Sequence, residues 1–251
     1  MKIVNLKTLI LLIALCASCT STKTKWQVPQ HEATIPTPKN IKWWQDTQKV
    51  INKEVAENKV DLLFVGDSIT HWFRKMPWHN EKTCGLQVWK DYYAKRNAVN
   101  TGIMGDKTQH VLWRLKNGNL KGIKPKLAVI MIGTNNVMQQ ETPQQTADGI
   151  RAIIEYIRKK SPKTKMLLLG IFPRAKESNH KHRIQNDKVN EIIKDFDKLY
   201  PSLSYLDIGK AFLNSDGSVN KELMPDYLHP NAKGYKVWAE VMEPTIKKLL
   251  P

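Results

Sequence analysis

Cysteine is scarce in this chain, with three among 251 residues, and its scarcity limits what can hold the fold together. Cys16 and Cys19 lie within the first twenty residues, and Cys84 stands alone in the rest of the sequence. A single cysteine cannot form an intramolecular disulfide, so a disulfide framework is excluded for the main body of the chain. We interpret Cys84 as a small core residue, since no neighbouring feature supports reactivity.

Acidic residues are also few. The sequence has 23 Asp and Glu against 40 Lys and Arg, a net charge of +17 at pH 7. Such a balance indicates either a solvated basic surface or an anionic partner such as nucleic acid, an anionic glycan or lipid head groups. The basic residues are spread along the chain, with only short clusters such as Arg158-Lys159-Lys160. This pattern does not favour nucleic acid, and we predict no nucleic-acid partner.

The N-terminus has the layout of a secretory signal peptide. Lys2 and Lys7 precede an apolar run from Leu9 to Leu15, which is too short to span a bilayer comfortably, and two small residues then lead into Cys19. Small residues directly before a cysteine are typical of a bacterial lipoprotein cleavage site. We therefore predict a signal peptide over residues 1–18, a lipid on Cys19 as a membrane anchor, and a place in the bacterial cell envelope. Simple secretion or a periplasmic location is the alternative.

Residues 19–41 are predicted to be the lipidated cysteine followed by a flexible tether. The stretch from residue 20 to residue 40 is rich in Thr, Ser, Lys and Pro, a composition that does not build a core. A helical pattern begins near Trp43, so the globular domain is predicted to span 42–251.

Within that domain, apolar runs alternate with helical patterns. The predicted strands are DLLFVG, NAVNTGI, KLAVIMIG, KMLLLGIF and LSYLDI. The helical patterns cover residues 43–58, 107–117, 144–160, 183–199 and 232–250. Continuous apolar strands suit a parallel sheet that is buried on both faces. The fold class predicted is therefore α/β, a three-layer α/β/α sandwich with a five-stranded parallel sheet.

Polar and small residues follow the carboxyl ends of these strands, where doubly wound sheets place their sites. Strand one ends at Gly66-Asp67-Ser68, strand two in NTGIMGD with Gly105, and strand three in GTNN with Asn135. The chain after strand five reaches DYLHP, which contains Asp226 and His229. The sheet edge would thus gather a hydroxyl, glycine amides, a carboxamide and a histidine with a carboxylate.

These residue types form a complete set for acyl transfer. A serine hydroxyl needs a base to take its proton, histidine is the base that works near neutral pH, and an aspartate can orient the imidazole. The spacing of Asp226 and His229 predicts that they share one side of a helical turn. Taken alone, a serine such as Ser68 is more often the N-cap of the helix that follows a strand than a nucleophile.

Other motifs that would indicate a different chemistry fail. A G-x-S-x-G elbow is absent because Thr70 occupies its last position, and the spacing around Gly105 and Lys107 does not make a phosphate loop. His31-Glu32 has no second histidine four residues on, and His180-x-His182 lies in a basic loop and is interpreted as solvated. We predict no metal and no cofactor.

The motifs resemble those of the SGNH (GDSL-type) hydrolases. The blocks are Gly66-Asp67-Ser68, Gly105, Asn135 and Asp226/His229. The long stretch NTGIMGDKTQHVLWRLKNGNLKGIKPKLAVIMIGTNN is similar to the catalytic subunits of the platelet-activating-factor acetylhydrolase Ib group. LNSDGSV and MPDYLH are similar to that group too, so that the resemblance covers residues 42 to 250.

The resemblance implies roles for individual residues. Ser68 would be the nucleophile, His229 the base and Asp226 its orienting carboxylate, while the Ser68 and Gly105 amides and the Asn135 side chain would form the oxyanion hole. Ile69, Thr134 and Leu228 match positions that wall a small acyl pocket, and a homodimer is suggested by analogy.

The expected function is that of a serine esterase which removes short acyl groups, above all acetyl, from a carbohydrate or lipid-like ester. A lysophospholipase or thioesterase acting on longer chains is one alternative. A glycan- or polyanion-binding lipoprotein without activity is another.

Overall fold

The computed structural model describes residues 26–251, so the predicted signal peptide, Cys19 and the first part of the predicted tether lie outside the described residues. The strands are β1 (Leu62–Gly66), β2 (Ala98–Asn100), β3 (Leu127–Met131), β4 (Lys165–Leu169) and β5 (Leu203–Leu206). The helices are α1 (Lys42–Glu57), α2 (Ser68–His71), α3 (Leu86–Tyr92), α4 (Thr108–Arg114), α5 (Thr134–Met138), α6 (Pro143–Lys160), α7 (Lys181–Ile193) and α8 (Ala232–Leu249).

The five strands form one parallel sheet in the order β2-β1-β3-β4-β5. Every residue of β1 and of β3 is buried, as expected of central strands covered on both faces. Each predicted strand is present, although each is shorter than its apolar run, because the runs continue into the loops at the strand ends. The α/β fold with a five-stranded parallel sheet is confirmed.

Two hydrophobic cores lie on opposite faces of the sheet. Side chains alternate along β1, so that Leu63 and Val65 belong to one core while Leu62 and Phe64 belong to the other. Helices α1, α4, α6 and α7 cover the first face, and α3 and α8 cover the second. Burying each aliphatic side chain contributes roughly 1.5–3 kcal/mol, so these two faces are what fixes the three layers.

The corner after β1 is tight. A Cβ at Gly66 would lie 2.1 Å from Thr70 Oγ1 and 2.6 Å from the Met131 carbonyl oxygen of the neighbouring strand. Only glycine fits there, and its absence of a side chain lets α2 begin directly beyond the strand. Ser68 is consequently held at the carboxyl edge of the sheet.

The segment before α1 corrects the prediction of a flexible tether. From residue 26 onward the chain packs on the domain: Ala33 is fully buried, and the Thr108 hydroxyl donates a 2.8 Å hydrogen bond to its carbonyl oxygen. Trp26 lies beneath the guanidinium of Arg151, 4.3 Å from ring centroid to Cζ. Composition misled here because polar side chains of α4 satisfy the segment's backbone, and little apolar area is needed.

The described residues provide no helix with the length and apolar character that crossing a bilayer requires. Cys84 is buried and unpaired with any other described cysteine, in agreement with its interpretation as a core residue.

Candidate active site

Ser68 opens helix α2 but does not cap it. The cap is Asp67, whose Oδ1 accepts a 3.0 Å hydrogen bond from the Ile69 N–H. The Ser68 hydroxyl turns the other way, and its Oγ lies 2.9 Å from Nε2 of His229, a residue 161 positions further on. The alternative in which Ser68 serves as the N-cap is therefore wrong.

His229 connects the serine to a carboxylate. Its Nδ1 lies 2.6 Å from Asp226 Oδ2, and Asp226 Oδ1 accepts backbone hydrogen bonds from Leu228 (3.0 Å) and His229 (2.7 Å). Burial by itself would raise the pKa of Asp226, but hydrogen bonds from the side chain and backbone of His229 outweigh it and hold the pKa below its usual value. In the tautomer protonated on Nδ1, the imidazole donates to Asp226 and leaves Nε2 free to accept the serine proton.

The turn from Asp226 to His229 differs from the prediction. It is not a helical turn: Tyr227 has φ of +57°, a left-handed conformation, and Asp226 closes the turn with its own side chain. Short polar side chains often close turns in this way, and the result still places the carboxylate beside the imidazole.

Trp72 packs on the histidine and was not identified from the sequence. Its indole stacks on the imidazole of His229. Trp72 also ends α2, where its backbone N–H donates a hydrogen bond to the carbonyl oxygen of Ser68 at the start of the helix. The signal available was its spacing, four residues after Ser68, which returns a helical side chain to the same face.

Of the three predicted oxyanion residues, Ser68 follows β1, and Gly105 and Asn135 lie in the segments that follow β2 and β3. Gly105 has φ of +73°, a conformation that suits glycine, and Asn135 Nδ2 donates a 2.9 Å hydrogen bond to the carbonyl oxygen of Asp106. A carboxamide nitrogen carries two hydrogens, so Asn135 keeps a second donor beside the Gly105 turn. The arrangement can present several donors to one developing negative charge.

A fully buried ion pair supports this turn from behind. Asp106 accepts 2.7 Å hydrogen bonds from Trp44 Nε1 and from Arg114 Nε. The Arg114 guanidinium also donates to the carbonyl oxygens of Thr101 (2.5 Å) and Gly66 (3.2 Å), which lie just beyond β2 and at the end of β1. One side chain thus ties two strand ends to the turn, and neither Asp106 nor Arg114 was singled out from the sequence.

The predicted acyl-pocket residues lie next to this machinery. Ile69 and Thr134 are each 1% exposed, whereas Leu228 is partly exposed beside His229. The Thr134 hydroxyl and carbonyl oxygens both accept hydrogen bonds of 3.0 Å from Arg174 Nη1. Burial lowers the pKa of Arg174. Its bonds fix Thr134 in one orientation.

Two further titratable groups, Asp67 and His110, lie buried near the site and accept backbone hydrogen bonds. Asp67 is fully buried, and burial raises its pKa to about 6. His110 accepts a 2.9 Å hydrogen bond from the Lys107 N–H, and burial lowers its pKa to about 3, so it is neutral and structural. Among residues 26–251 no group of three or more His, Cys, Asp or Glu side chains is placed to hold a metal ion.

Comparison with known proteins shows which family the chain belongs to. The model of the GDSL-like lipase/acylhydrolase family matches residues 64–237. Platelet-activating factor acetylhydrolase IB subunit alpha2 of Rattus norvegicus is 34% identical over 207 residues, which is 82% of this chain and 85% of the relative. The alpha1 subunit of the same species is 32% identical over 225 residues, 88% of this chain and 91% of that subunit.

Solved structures agree on the fold. A GDSL-like lipase from Bacteroides thetaiotaomicron superposes with a TM-score of 0.62 at 20% identity, covering 84% of this chain and 98% of that protein. An acetylxylan esterase from Geobacillus stearothermophilus gives a TM-score of 0.58 at 20% identity, covering 78% and 95%. The chain belongs to the GDSL-like lipase/acylhydrolase family and is a carboxylic ester hydrolase.

Proposed function

We propose that the protein is a serine esterase that removes short acyl groups, above all acetyl, from a carbohydrate or lipid-like ester. The observation that carries the proposal is the unbroken hydrogen-bond chain from Ser68 Oγ through His229 to Asp226. A hydroxyl that is bonded to a base, which is itself oriented by a carboxylate, is the arrangement that activates a serine.

The first half of the reaction acylates Ser68. His229 Nε2 takes the hydroxyl proton while Oγ attacks the ester carbonyl carbon, and Asp226 stabilises the imidazolium that forms. The backbone N–H groups of Ser68 and Gly105 and the Asn135 carboxamide donate to the oxyanion. The intermediate collapses as the imidazolium gives its proton to the departing alcohol oxygen, which leaves an acyl-serine.

Water completes the cycle. His229 takes a proton from a water molecule whose oxygen attacks the acyl carbon, and the same oxyanion donors stabilise the second intermediate. Collapse then breaks the bond to Ser68 Oγ, which recovers its proton from His229, and the carboxylic acid leaves.

Support for a short acyl group comes from the walls beside the serine. Ile69 and Thr134 are buried, and Arg174 fixes Thr134, so this wall cannot move aside easily for a long chain. Two kinds of relative are named for acetyl chemistry, the platelet-activating factor acetylhydrolase subunits and the acetylxylan esterase. They motivate acetyl as the group removed and a sugar or lipid-like molecule as its carrier.

A series of p-nitrophenyl esters tests the acyl group, and a panel of acetylated sugars and lipid-like acetates tests the carrier. We expect kcat/KM to be far higher for acetate and propionate than for octanoate. Equal or better turnover of octanoate would contradict the short-acyl proposal and favour a lysophospholipase or thioesterase. A folded protein with no turnover of any ester would favour a binding role instead.

We further propose that Cys19 carries a lipid and holds the esterase in the bacterial cell envelope. The motive is the signal-like sequence before it, which lies outside the described residues. Cys19→Ala should move the protein from the membrane fraction to the soluble fraction. Mass spectrometry that finds a mature N-terminus beyond Cys19 would contradict the anchor without touching the esterase proposal.

A further inference from the structure

A lysine from the segment before α1 reaches the back of the Gly105 turn. Lys39 Nζ donates a 2.5 Å hydrogen bond to the Gly105 carbonyl oxygen and lies 3.5 Å from Asp106 Oδ1. The two residues that it joins, Lys39 and Gly105, are 66 positions apart, and only 15% of the lysine side chain is exposed. Surface lysines seldom give up this much hydration without a partner.

The segment that carries Lys39 is held against α4, so the lysine side chain extends from a fixed backbone position. The Thr37 N–H donates a 3.2 Å hydrogen bond to the Gln109 carbonyl oxygen of α4. Upstream, Ala33 is buried against Thr108, and Lys107 reaches back to the carboxylate of Glu32. These contacts lie along one turn of α4, directly beyond the Gly105 turn.

The Gly105 turn needs support of this kind. With φ of +73° it has a backbone that glycine adopts freely, so the residue by itself does not restrict its peptide groups. A Cβ at this position would lie 3.1 Å from Lys39 Nζ, which shows how closely the ammonium covers the residue. The Gly105 carbonyl oxygen belongs to the peptide group that carries the Asp106 N–H, and that N–H donates a 3.2 Å hydrogen bond to the Ile103 carbonyl oxygen. Because this peptide group is held at both its oxygen and its nitrogen, the position of the Gly105 Cα is fixed, and the directions open to the Gly105 N–H on the other side of it are limited.

Charge around the ammonium is unevenly distributed. Burial lowers the pKa of Lys39, and the Asp106 carboxylate opposes that effect while Arg114 and Lys107 add to it. His110 also faces the lysine and is neutral, because burial lowers its pKa to about 3. Lys39 thus carries a charge that is poorly solvated, next to the place where the reaction develops negative charge.

We propose that Lys39 is a positioning residue for ester hydrolysis. It holds the Gly105–Asp106 turn in the orientation that presents the Gly105 N–H and the Asn135 carboxamide to the oxyanion. The segment from Glu32 to Lys39 is accordingly part of the catalytic scaffold and not a spacer. The inference rests on the proposed serine mechanism and deepens it.

Substitution of the lysine tests the proposal on the full chain. Lys39→Met should lower kcat for p-nitrophenyl acetate by about tenfold, less than the 10²–10³-fold typical for loss of an oxyanion donor itself, because the donors remain but are held less well. KM should change by less than a factor of about two, since the ground-state ester does not contact the lysine. Lys42→Met is the matched control, because Lys42 is exposed and, among residues 26–251, forms an ion pair with Asp46 alone. The kcat of this variant should match that of the wild type.

The pH at which activity declines on the alkaline side is a second readout. A purely structural role for Lys39 would not change it. Because the pKa of Lys39 is lowered, the alkaline decline of wild-type kcat should begin at a pH lower than about 10.4, the value at which an ordinary lysine loses its proton. Lys39→Arg restores the charge and the donor, so it should keep most of the activity and move that decline to higher pH, as followed in a pH-stat.

The outcomes separate this inference from the serine mechanism. A folded Lys39→Met enzyme with wild-type kcat, alongside an inactive Ser68→Ala enzyme, would overturn the role of Lys39 alone. If Lys39→Met does not fold, Lys39→Arg decides, and an unmoved alkaline decline overturns the proposal. Full activity in Ser68→Ala would overturn both.

Discussion

The imidazole of His229 lies almost flat against the indole of Trp72, with ring centroids 4.0 Å apart and planes inclined by 24°. Asp226 holds the same imidazole at its edge through Nδ1, so one contact fixes the direction of the ring and the other fixes its plane. An aromatic face would also attract the positive charge that the imidazole gains in the proposed mechanism, while it holds the serine proton. Trp72 and Asp226 therefore hold the imidazole that we propose as the base.

We predict that Trp72→Leu lowers kcat by about fivefold, the equivalent of about 1 kcal/mol for a lost aromatic contact. Trp72→Phe keeps an aromatic face and should retain most of the activity. Trp78→Leu is the control, since Trp78 is 58% exposed and meets His79 rather than His229. Steady-state kinetics with p-nitrophenyl acetate measure all three, and equal kcat values for Trp72→Leu and Trp78→Leu would contradict the role.

Ser68→Ala should abolish esterase activity while leaving the melting temperature within about 2 °C of the wild type. The rate should fall by several powers of ten, because no neighbouring group can form the acyl intermediate. Stability should hardly change because Asp67, and not Ser68, caps α2; loss of a true N-cap would cost about 0.5–2 kcal/mol.

Labelling with a fluorophosphonate provides the control for contaminating esterases. The wild type should be labelled at Ser68, and Ser68→Ala should not be labelled at all. More than a few per cent of residual, purified activity in Ser68→Ala would sink the nucleophile assignment.

The sheet was predictable from the sequence because its signal is local. Runs such as KLAVIMIG are apolar throughout, and strands buried on both faces leave that pattern without any knowledge of the rest of the fold. The same locality placed Ser68, Gly105 and Asn135 at strand ends, where the parallel topology gathers them.

What the sequence did not predict depends on contacts between distant residues. Arg114 lies on the helix after β2 yet donates to the end of β1, and Lys39 lies in a Pro- and Thr-rich stretch with no apolar periodicity. Such side chains have no spacing pattern of their own, because their partners come from other elements. The tether prediction failed for this reason, and the turn from Asp226 to His229 was misjudged because an i, i+3 spacing suits both a helix and a tight turn.

His229→Ala should reduce kcat more than Asp226→Asn does. In the proposed mechanism His229 both removes and returns the proton, whereas Asp226 only orients the imidazole and stabilises its charge. The carboxamide oxygen in Asp226→Asn can still accept the backbone hydrogen bonds from Leu228 and His229, so the turn should keep its shape. Pre-steady-state kinetics on both variants measure the acylation step, and a larger loss in Asp226→Asn than in His229→Ala would contradict the assigned roles.

Asp67→Asn should stabilise the protein at neutral and alkaline pH but not in acid. Asp67 is fully buried, and burial raises its pKa to about 6 from an ordinary value of 3.8. The folded protein therefore holds this proton more tightly than the unfolded chain does. The stability that protonated Asp67 contributes is fully present below about pH 4 and is lost as the pH rises through about 6.

Asparagine keeps an oxygen that can cap the Ile69 N–H and carries no charge to bury. The gap between the two pKa values corresponds to roughly 3 kcal/mol, so urea unfolding at pH 8 should show Asp67→Asn more stable by about 2–3 kcal/mol. At pH 4 the two proteins should unfold alike. Asp61→Asn is the control of opposite sign, because the hydrogen bond from Asn97 lowers the pKa of Asp61 and its charge stabilises the fold at neutral pH. A gain for Asp67→Asn that is the same at pH 4 and pH 8 would show that burial of the Asp67 charge is not its cause.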